Sequence, residues 1–260
     1  MKSIIEYEYR IEIDEIRKYE DRYYIRNKDN TYILEKTIKN EEMLNLINQS
    51  KLFYTVMHNN KGNLSILYNS EKYILYRIEN DTNQEQDLYI EEKPQKDWGK
   101  LWSIKVDKIR KEMLNHRTSE SIDYYIGLAE NAIMLWNKID KNNLKYKICR
   151  IRMNNDVLKN PNNAIIDIIE RDAAENIKYL FFYENTNVET ITEKYNKDGL
   201  DMGTIYCRLL FPTYFFDQIE DYLIKGKINS RQINKIIDKQ RKYEEYLNYF
   251  SDKYIKKLRH

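Results

Sequence analysis

The feature that most constrains this chain is a change in hydrophobic period part-way along it. Up to Ile78 the apolar residues come in short alternating runs separated by turns, and from Trp98 onward they recur at three- and four-residue steps. Ile5, Tyr7, Tyr9, Ile11 and Ile13 alternate with Glu6, Glu8, Arg10 and Glu12, which predicts a half-buried strand over residues 4–13. Residues 22–26 and 31–38, on either side of the polar Asn27-Lys28-Asp29-Asn30, predict a hairpin. Asn40 ahead of Glu41 and Glu42 predicts a capped helix running to about Leu52. Three further runs, 53–57, 64–68 and 72–78, are separated by turns around 59–63 and at Asn69-Ser70. Residues 1–80 therefore read as a small antiparallel β lobe with one helix.

The run ENDTNQEQD within residues 79–94 has little to bury, so residues 81–97 read as a hinge or linker. Beyond it, Trp98, Leu101, Trp102, Ile109 and Met113 predict one amphipathic helix, and Ile122, Ile126, Ala129, Ile133 and Trp136 a second. A short β insert over 145–153 and 164–169 follows. Helices are expected near 171–183, across 202–225 with a break at Pro212, and across 230–258. Residues 98–260 thus form a mainly helical second part. Within it, the run from Leu209 to Phe216 reads as buried core, as do Trp98 and Trp102. Gly127, Ala129 and Ala132 offer a small-residue surface for close packing.

Composition excludes several classes. Two cysteines and three histidines among 260 residues cannot build a disulfide framework or a structural zinc cluster. No stretch approaches the run of about 18 apolar residues that spans a bilayer, and the charged start is unlike a signal peptide, so a cytoplasmic protein is expected. The 24 tyrosines and 7 phenylalanines offer apolar surface that a disordered chain could not leave exposed. Residues 225–260 carry 11 Lys and Arg against 4 Asp and Glu, in a chain whose net charge is only +2, which predicts a basic terminal helix with a solvated face. No recognised nucleic-acid motif accompanies that charge, so nucleic acid ranks last among its partners.

A β-rich lobe, a hinge, two long helices, a short β insert and further helices is the order of elements in the α+β, bilobal protein-kinase-like fold, and phosphoryl transfer is the chemistry to test against it. Most of its apparatus is missing. No glycine precedes Gly62, so the loop covering the nucleotide phosphates is not glycine-rich. No histidine stands two residues before an aspartate with an asparagine five further on. The expected place for that loop holds Cys149-Arg150-Ile151-Arg152, and the nearest acid, Asp156, is followed five residues later by Pro161. Asp167, at the end of the apolar run Ile165-Ile166, stands where a kinase-like fold holds its metal, although an aspartate there also serves to cap the following helix. Arg150 and Arg152 suit a phosphate or, more simply, an ion pair with Asp167 or Asp172.

Four segments resemble the spore coat kinase-like proteins of endospore-forming bacteria. They are Asp123 to Ile133, Cys149 to Arg152, Ile166-Asp167 with Arg171 to Glu175, and Arg208 to Phe216. The resemblance spans about Trp98 to Leu223, and these proteins are similar in fold to aminoglycoside and choline phosphotransferases. It implies synthesis in the mother-cell cytoplasm, a place in the spore coat, and other coat proteins as partners. The departures at the His-x-Asp positions imply a pseudokinase. Carried across position by position, Asp167 matches the metal-binding acid, Arg150 or Arg152 stands near the lost base, and Lys36 is the candidate small-lobe lysine, with Lys39 close by. The alternative is a divergent small-molecule phosphotransferase using ATP and Mg²⁺, with Asp156 or Asp172 as the replacement base. A basic-tail adaptor unrelated to spores is the third reading.

Overall fold

The computed structural model describes residues 1–78, 87–91, 96–113, 120–226 and 230–255. The chain divides into two compact units, Met1–Glu92 with Tyr146–Asp167, and Lys93–Lys145 with Ile168–His260.

In the first unit, α1 (Lys2–Tyr9) leads into β1 (Glu15–Tyr19), β2 (Arg22–Arg26) and β3 (Thr31–Lys36). Then come α2 (Glu41–Ser50), β4 (Thr55–Val56), β5 (Ile66–Tyr68) and β6 (Glu71–Ile78). The strands form one antiparallel sheet in the order β1-β2-β3-β6-β4, with β5 also on β6. The expected hairpin is present: the Asn27 side chain accepts from the Asn30 N–H at 2.9 Å and closes its turn. Asn40 caps α2 by accepting from the Met43 N–H at 2.9 Å. The turn between β5 and β6 puts Asn69 and Ser70 at φ 49° and 62°, the left-handed pair that suits a two-residue hairpin.

The strand expected over residues 4–13 is instead α1. Ile5 and Tyr9 are four apart, so they meet one face of a helix as readily as one face of a strand, and Tyr7, between them, is 70% exposed. The choice was made by the sheet, whose face bearing Ile25, Tyr32, Leu34, Tyr73 and Leu75 is covered by Ile5, Tyr9 and Ile13. The other face carries Ile33, Ile74 and Tyr76 and packs against Leu44 and Ile47 of α2, with Ile148 and Ala164.

Those last two residues belong to a second sheet, ordered β7 (Tyr89–Ile90), β8 (Tyr146–Arg150) and β9 (Ala164–Ile168). Strand β7 falls inside the expected linker, whose residues 81–86 and 92–95 lie outside those described. Tyr146–Asp167 packs with the first unit, while a boundary near residue 80 leaves it with the helices.

The second unit holds α3 (Trp98–Met113), α4 (Glu120–Trp136), α5 (Glu170–Tyr179), α6 (Glu189–Lys197), α7 (Met202–Leu210), α8 (Thr213–Lys225) and α9 (Ser230–Phe250). Helix α6 was not anticipated, although Val188, Ile191, Thr192 and Tyr195 stand at steps of three and four; within its span only Thr192 is buried. Pro212 separates α7 from α8 as expected, and Phe211, Phe215 and Phe216 are buried. Trp102 is buried but Trp98 only half so. Ala129 and Ala132 are buried, whereas a Cβ added at Gly127 would meet nothing within 4 Å. Along α9, Ile236, Tyr243, Leu247 and Phe250 face inward and Arg231, Lys235, Arg241 and Lys242 outward. Among the described residues no helix is long and apolar enough to cross a membrane.

Candidate functional site

The first unit places the sequence-derived candidates around the end of β3 and the segment joining β8 to β9. Pleating sends Ile33 and Glu35 to the α2 face of the sheet and Leu34 and Lys36 to the α1 face. Lys36 is exposed and pairs with Glu71 at 2.7 Å, across the β3–β6 ladder. Their hydrogen bond holds the lysine above its ordinary pKa and, with the Tyr73 hydroxyl, holds Glu71 below the usual carboxylate value.

The buried charge at this level is Glu35, 4% exposed. Strand register sets Arg22 opposite it, and their side chains pair at 2.7 Å. Burial alone would depress the Arg22 guanidinium; the adjacent Glu35 carboxylate reverses this and raises it. Asn162, in the short helical turn Pro161–Asn163, completes the arrangement. Its amide nitrogen donates to Glu35 at 2.7 Å and to the Lys36 carbonyl at 2.8 Å, and its oxygen accepts from the Thr37 hydroxyl at 2.6 Å. Lys39 donates to the Ala164 carbonyl at 2.6 Å. The β8–β9 segment is thus stapled to the end of β3 by side-chain bonds that span more than 120 residues of sequence.

Arg150 ends β8, is buried, and lies with its guanidinium 6.0 Å from the centre of the Phe53 ring. Arg152 lies just beyond the strand, held by backbone: Asn163 accepts from its N–H at 2.9 Å and donates to its carbonyl at 2.8 Å. Asp167 is 1% exposed on β9, and its carbonyl accepts from the Cys149 thiol at 3.8 Å. The bonds from Ile151 N–H to Asn163 and from Ile169 N–H to Lys145 make β8 and β9 antiparallel. That register puts Asp167 level with Lys147, three residues before Arg150. The N-cap position of α5 is Ile169, which makes no side-chain cap of its own. Asp156 is exposed in the turn after β8, where its N–H donates to the Asn154 side chain at 3.1 Å. Asp172 is half-buried in the first turn of α5, in the second unit.

Sequence reasoning missed Glu35, Arg22, Thr37 and Asn162. The signal for the first two lay in the hairpin: pairing Arg26 with Thr31 forces Arg22 opposite Glu35, beside Ile33 on the buried face. Nothing local to Asn162 pointed to β3.

The second unit holds a cavity of about 760 Å³ that no sequence argument anticipated, lined in part by Asp140, Asn143, Glu170, Asn196 and Thr204. Glu170 is 5% exposed; it accepts from the Asp201 N–H at 3.3 Å, and burial raises its pKa. A carboxyl raised in the fold ionises first in the unfolded chain, so stability is lost as pH climbs from the ordinary carboxylate value through the raised one. Glu170→Gln removes that loss. Chemical denaturation should find the variant gaining on the parent as pH climbs above the ordinary carboxylate value; a gap that does not change with pH would contradict the assignment.

Comparison with known proteins agrees with this architecture. Residues 92–250 match the family described as "Spore coat putative kinase YutH". The endospore coat-associated protein YutH of Bacillus subtilis (strain 168) is 24% identical over 181 residues, 58% of this chain and 53% of that protein. The chain thus spans about half the length of that curated relative. Among solved structures, the aminoglycoside phosphotransferase of Alicyclobacillus acidocaldarius superposes with TM-score 0.67 at 10% identity over 94% of this chain and 93% of that one. Choline kinase LicA of Streptococcus pneumoniae gives 0.51 at 11% identity over 95% and 97%. The α+β fold is that of the kinase-like phosphotransferases, as the order of elements implied. With more than half of its length matched, the chain belongs to the spore coat kinase-like YutH family.

Proposed function

We propose that the chain is a pseudokinase of the spore coat, made in the mother-cell cytoplasm, which acts by binding other coat proteins and does not transfer phosphoryl groups. One observation carries this reading: the buried charge at the end of β3, on the α2 face, is the carboxylate of Glu35, already engaged by Arg22 and Asn162. Phosphoryl transfer in this fold class relies on a β3 lysine and metal ions to offset phosphate charge. A carboxylate there opposes a nucleotide, and Lys36 points to the other face, toward Glu71. Arginine at 150 and 152 supplies no base, because a guanidinium stays protonated. Among the described residues no group of three His, Cys, Asp or Glu side chains could hold a metal ion. Mg²⁺ beside a nucleotide needs only one or two carboxylates together with the phosphates, so the reading rests on Glu35 and on the arginines at 150 and 152, not on a metal count.

The test is thermal unfolding with and without millimolar Mg-ATP, with Asp167→Ala alongside. A ligand at a hundred times its Kd adds about 2.7 kcal/mol, which for a chain of this size is on the order of 5–10 °C in Tm. No shift is expected. A rise that Asp167→Ala abolishes would restore the alternative, a divergent phosphotransferase using Asp167 for Mg²⁺ with Asp156 or Asp172 as base.

A further inference from the structure

The end of β3 carries, beside the Glu35 network, a cavity of about 510 Å³ lined by Lys36, Lys39, Lys72, Glu71 and the fully exposed Ile38. That volume falls within the range of ligand clefts, roughly 300–1,000 Å³. Three ammonium groups against one carboxylate make its lining cationic. Lys72 donates to the Lys39 carbonyl at 3.3 Å, which brings the start of β6 against the segment after β3, and the bond from Thr37 N–H to the Lys72 carbonyl at 2.9 Å fixes the same junction.

The donors that would clasp a phosphate closely are turned inward. The Thr37 hydroxyl donates to Asn162, and the Asn162 amide donates to Glu35 and to the Lys36 carbonyl. Lysine recognises anions as a mobile point charge, without the planar fork by which arginine fixes phosphate geometry. Such charge suits several carboxylates spread along a chain better than one compact dianion. Ile38, apolar and unburied in the middle of this charge, gives a partner side chain something to cover.

We infer that this groove docks a carboxylate-rich segment of a partner protein, with an apolar residue of that segment seated on Ile38. The inference rests on the protein-binding reading above and names the chemistry of the partner. The assay is fluorescence anisotropy of a fluorescein-labelled Glu-Glu-Leu-Glu-Glu-Leu-Glu peptide on the full chain at 50 and 300 mM salt. Saturable binding that weakens with salt is expected, because exposed charge pairs are screened. Lys72→Glu should weaken it at least tenfold, Lys72→Gln by less, and Ile38→Ser at least threefold, with circular dichroism unchanged. Arg241→Glu, on the outer face of α9, should leave it as it was. Absence of peptide binding by the parent, or binding indifferent to Lys72→Glu and Ile38→Ser, overturns the proposal. So does displacement by millimolar inorganic phosphate, or equal affinity for a single-stranded DNA oligomer of matched charge. If the peptide fails while Mg-ATP still leaves Tm unmoved, the groove assignment falls and the pseudokinase reading stands; a shift with Mg-ATP strikes that reading itself.

Discussion

Glu35→Ala should cost about 3 kcal/mol of folding free energy. The carboxylate is 4% exposed, pairs with Arg22 at 2.7 Å and accepts from Asn162 at 2.7 Å, so removing it leaves a guanidinium and an amide hydrogen facing a cavity. Breaking a buried pair by deleting one partner typically costs about 3–5 kcal/mol. The lower end applies because the Arg22 side chain is 38% exposed and water reaches it. Urea denaturation of Glu35→Ala, Arg22→Leu and the double variant Arg22→Leu/Glu35→Leu separates the terms. Filling both positions with apolar side chains should recover most of the loss, since a buried ion pair seldom outperforms well-packed apolar residues. A cost below about 1 kcal/mol for Glu35→Ala would mean the pair is solvated, and would remove the main support for reading this end of β3 as closed to nucleotide.

The second large effect concerns Trp102. Its ring stacks on Phe211 at 4.5 Å, meets Trp136 edge-on at 5.5 Å, and lies 5.9 Å from the Arg208 guanidinium. Truncating a buried Trp to Ala costs about 3–5 kcal/mol through lost transfer energy and the cavity left behind, and aromatic pairing adds to that. Trp98, one turn earlier and only half-buried, supplies the internal comparison. Trp98→Ala should cost clearly less than Trp102→Ala, although the Arg171 and Arg208 guanidiniums lie 5.1 and 4.9 Å from its ring. Equal losses would indicate that the cation contacts of Trp98, not burial, set the energetics of this helix face. Near-UV circular dichroism should show Trp102→Ala flattening the aromatic signal even where the helices persist.

Much of the fold was legible because its signals are local. The β2–β3 hairpin follows from four polar residues between two apolar runs, and α2 from an asparagine placed to cap it. The break between α7 and α8 follows from a proline that cannot continue a helix. Where two periods fit the same residues, locality failed. Ile5, Tyr9 and Ile13 satisfy a spacing of two and of four alike, and only the uncovered face of a sheet formed later in the chain decides for a helix. Helix α6 was missed for another reason: its stripe of Val188, Ile191, Thr192 and Tyr195 is short and polar at its one buried position within the helix, Thr192.

The site divides the same way. The sequence by itself determined that no histidine stands two residues before an aspartate with an asparagine five further on, because a spacing along the chain needs no coordinates. It also determined, through hairpin register, that Arg22 must stand opposite Glu35. Only the tertiary structure decided that the pleat turns Lys36 outward to Glu71 and Glu35 inward, and that Asn162 closes on β3. The reason is physical. Periodicity fixes which residues share a face, but which face becomes the interior depends on what packs against it, and here that is α2 on one side and α1 on the other. Contacts between residues more than 120 positions apart leave no trace in either neighbourhood.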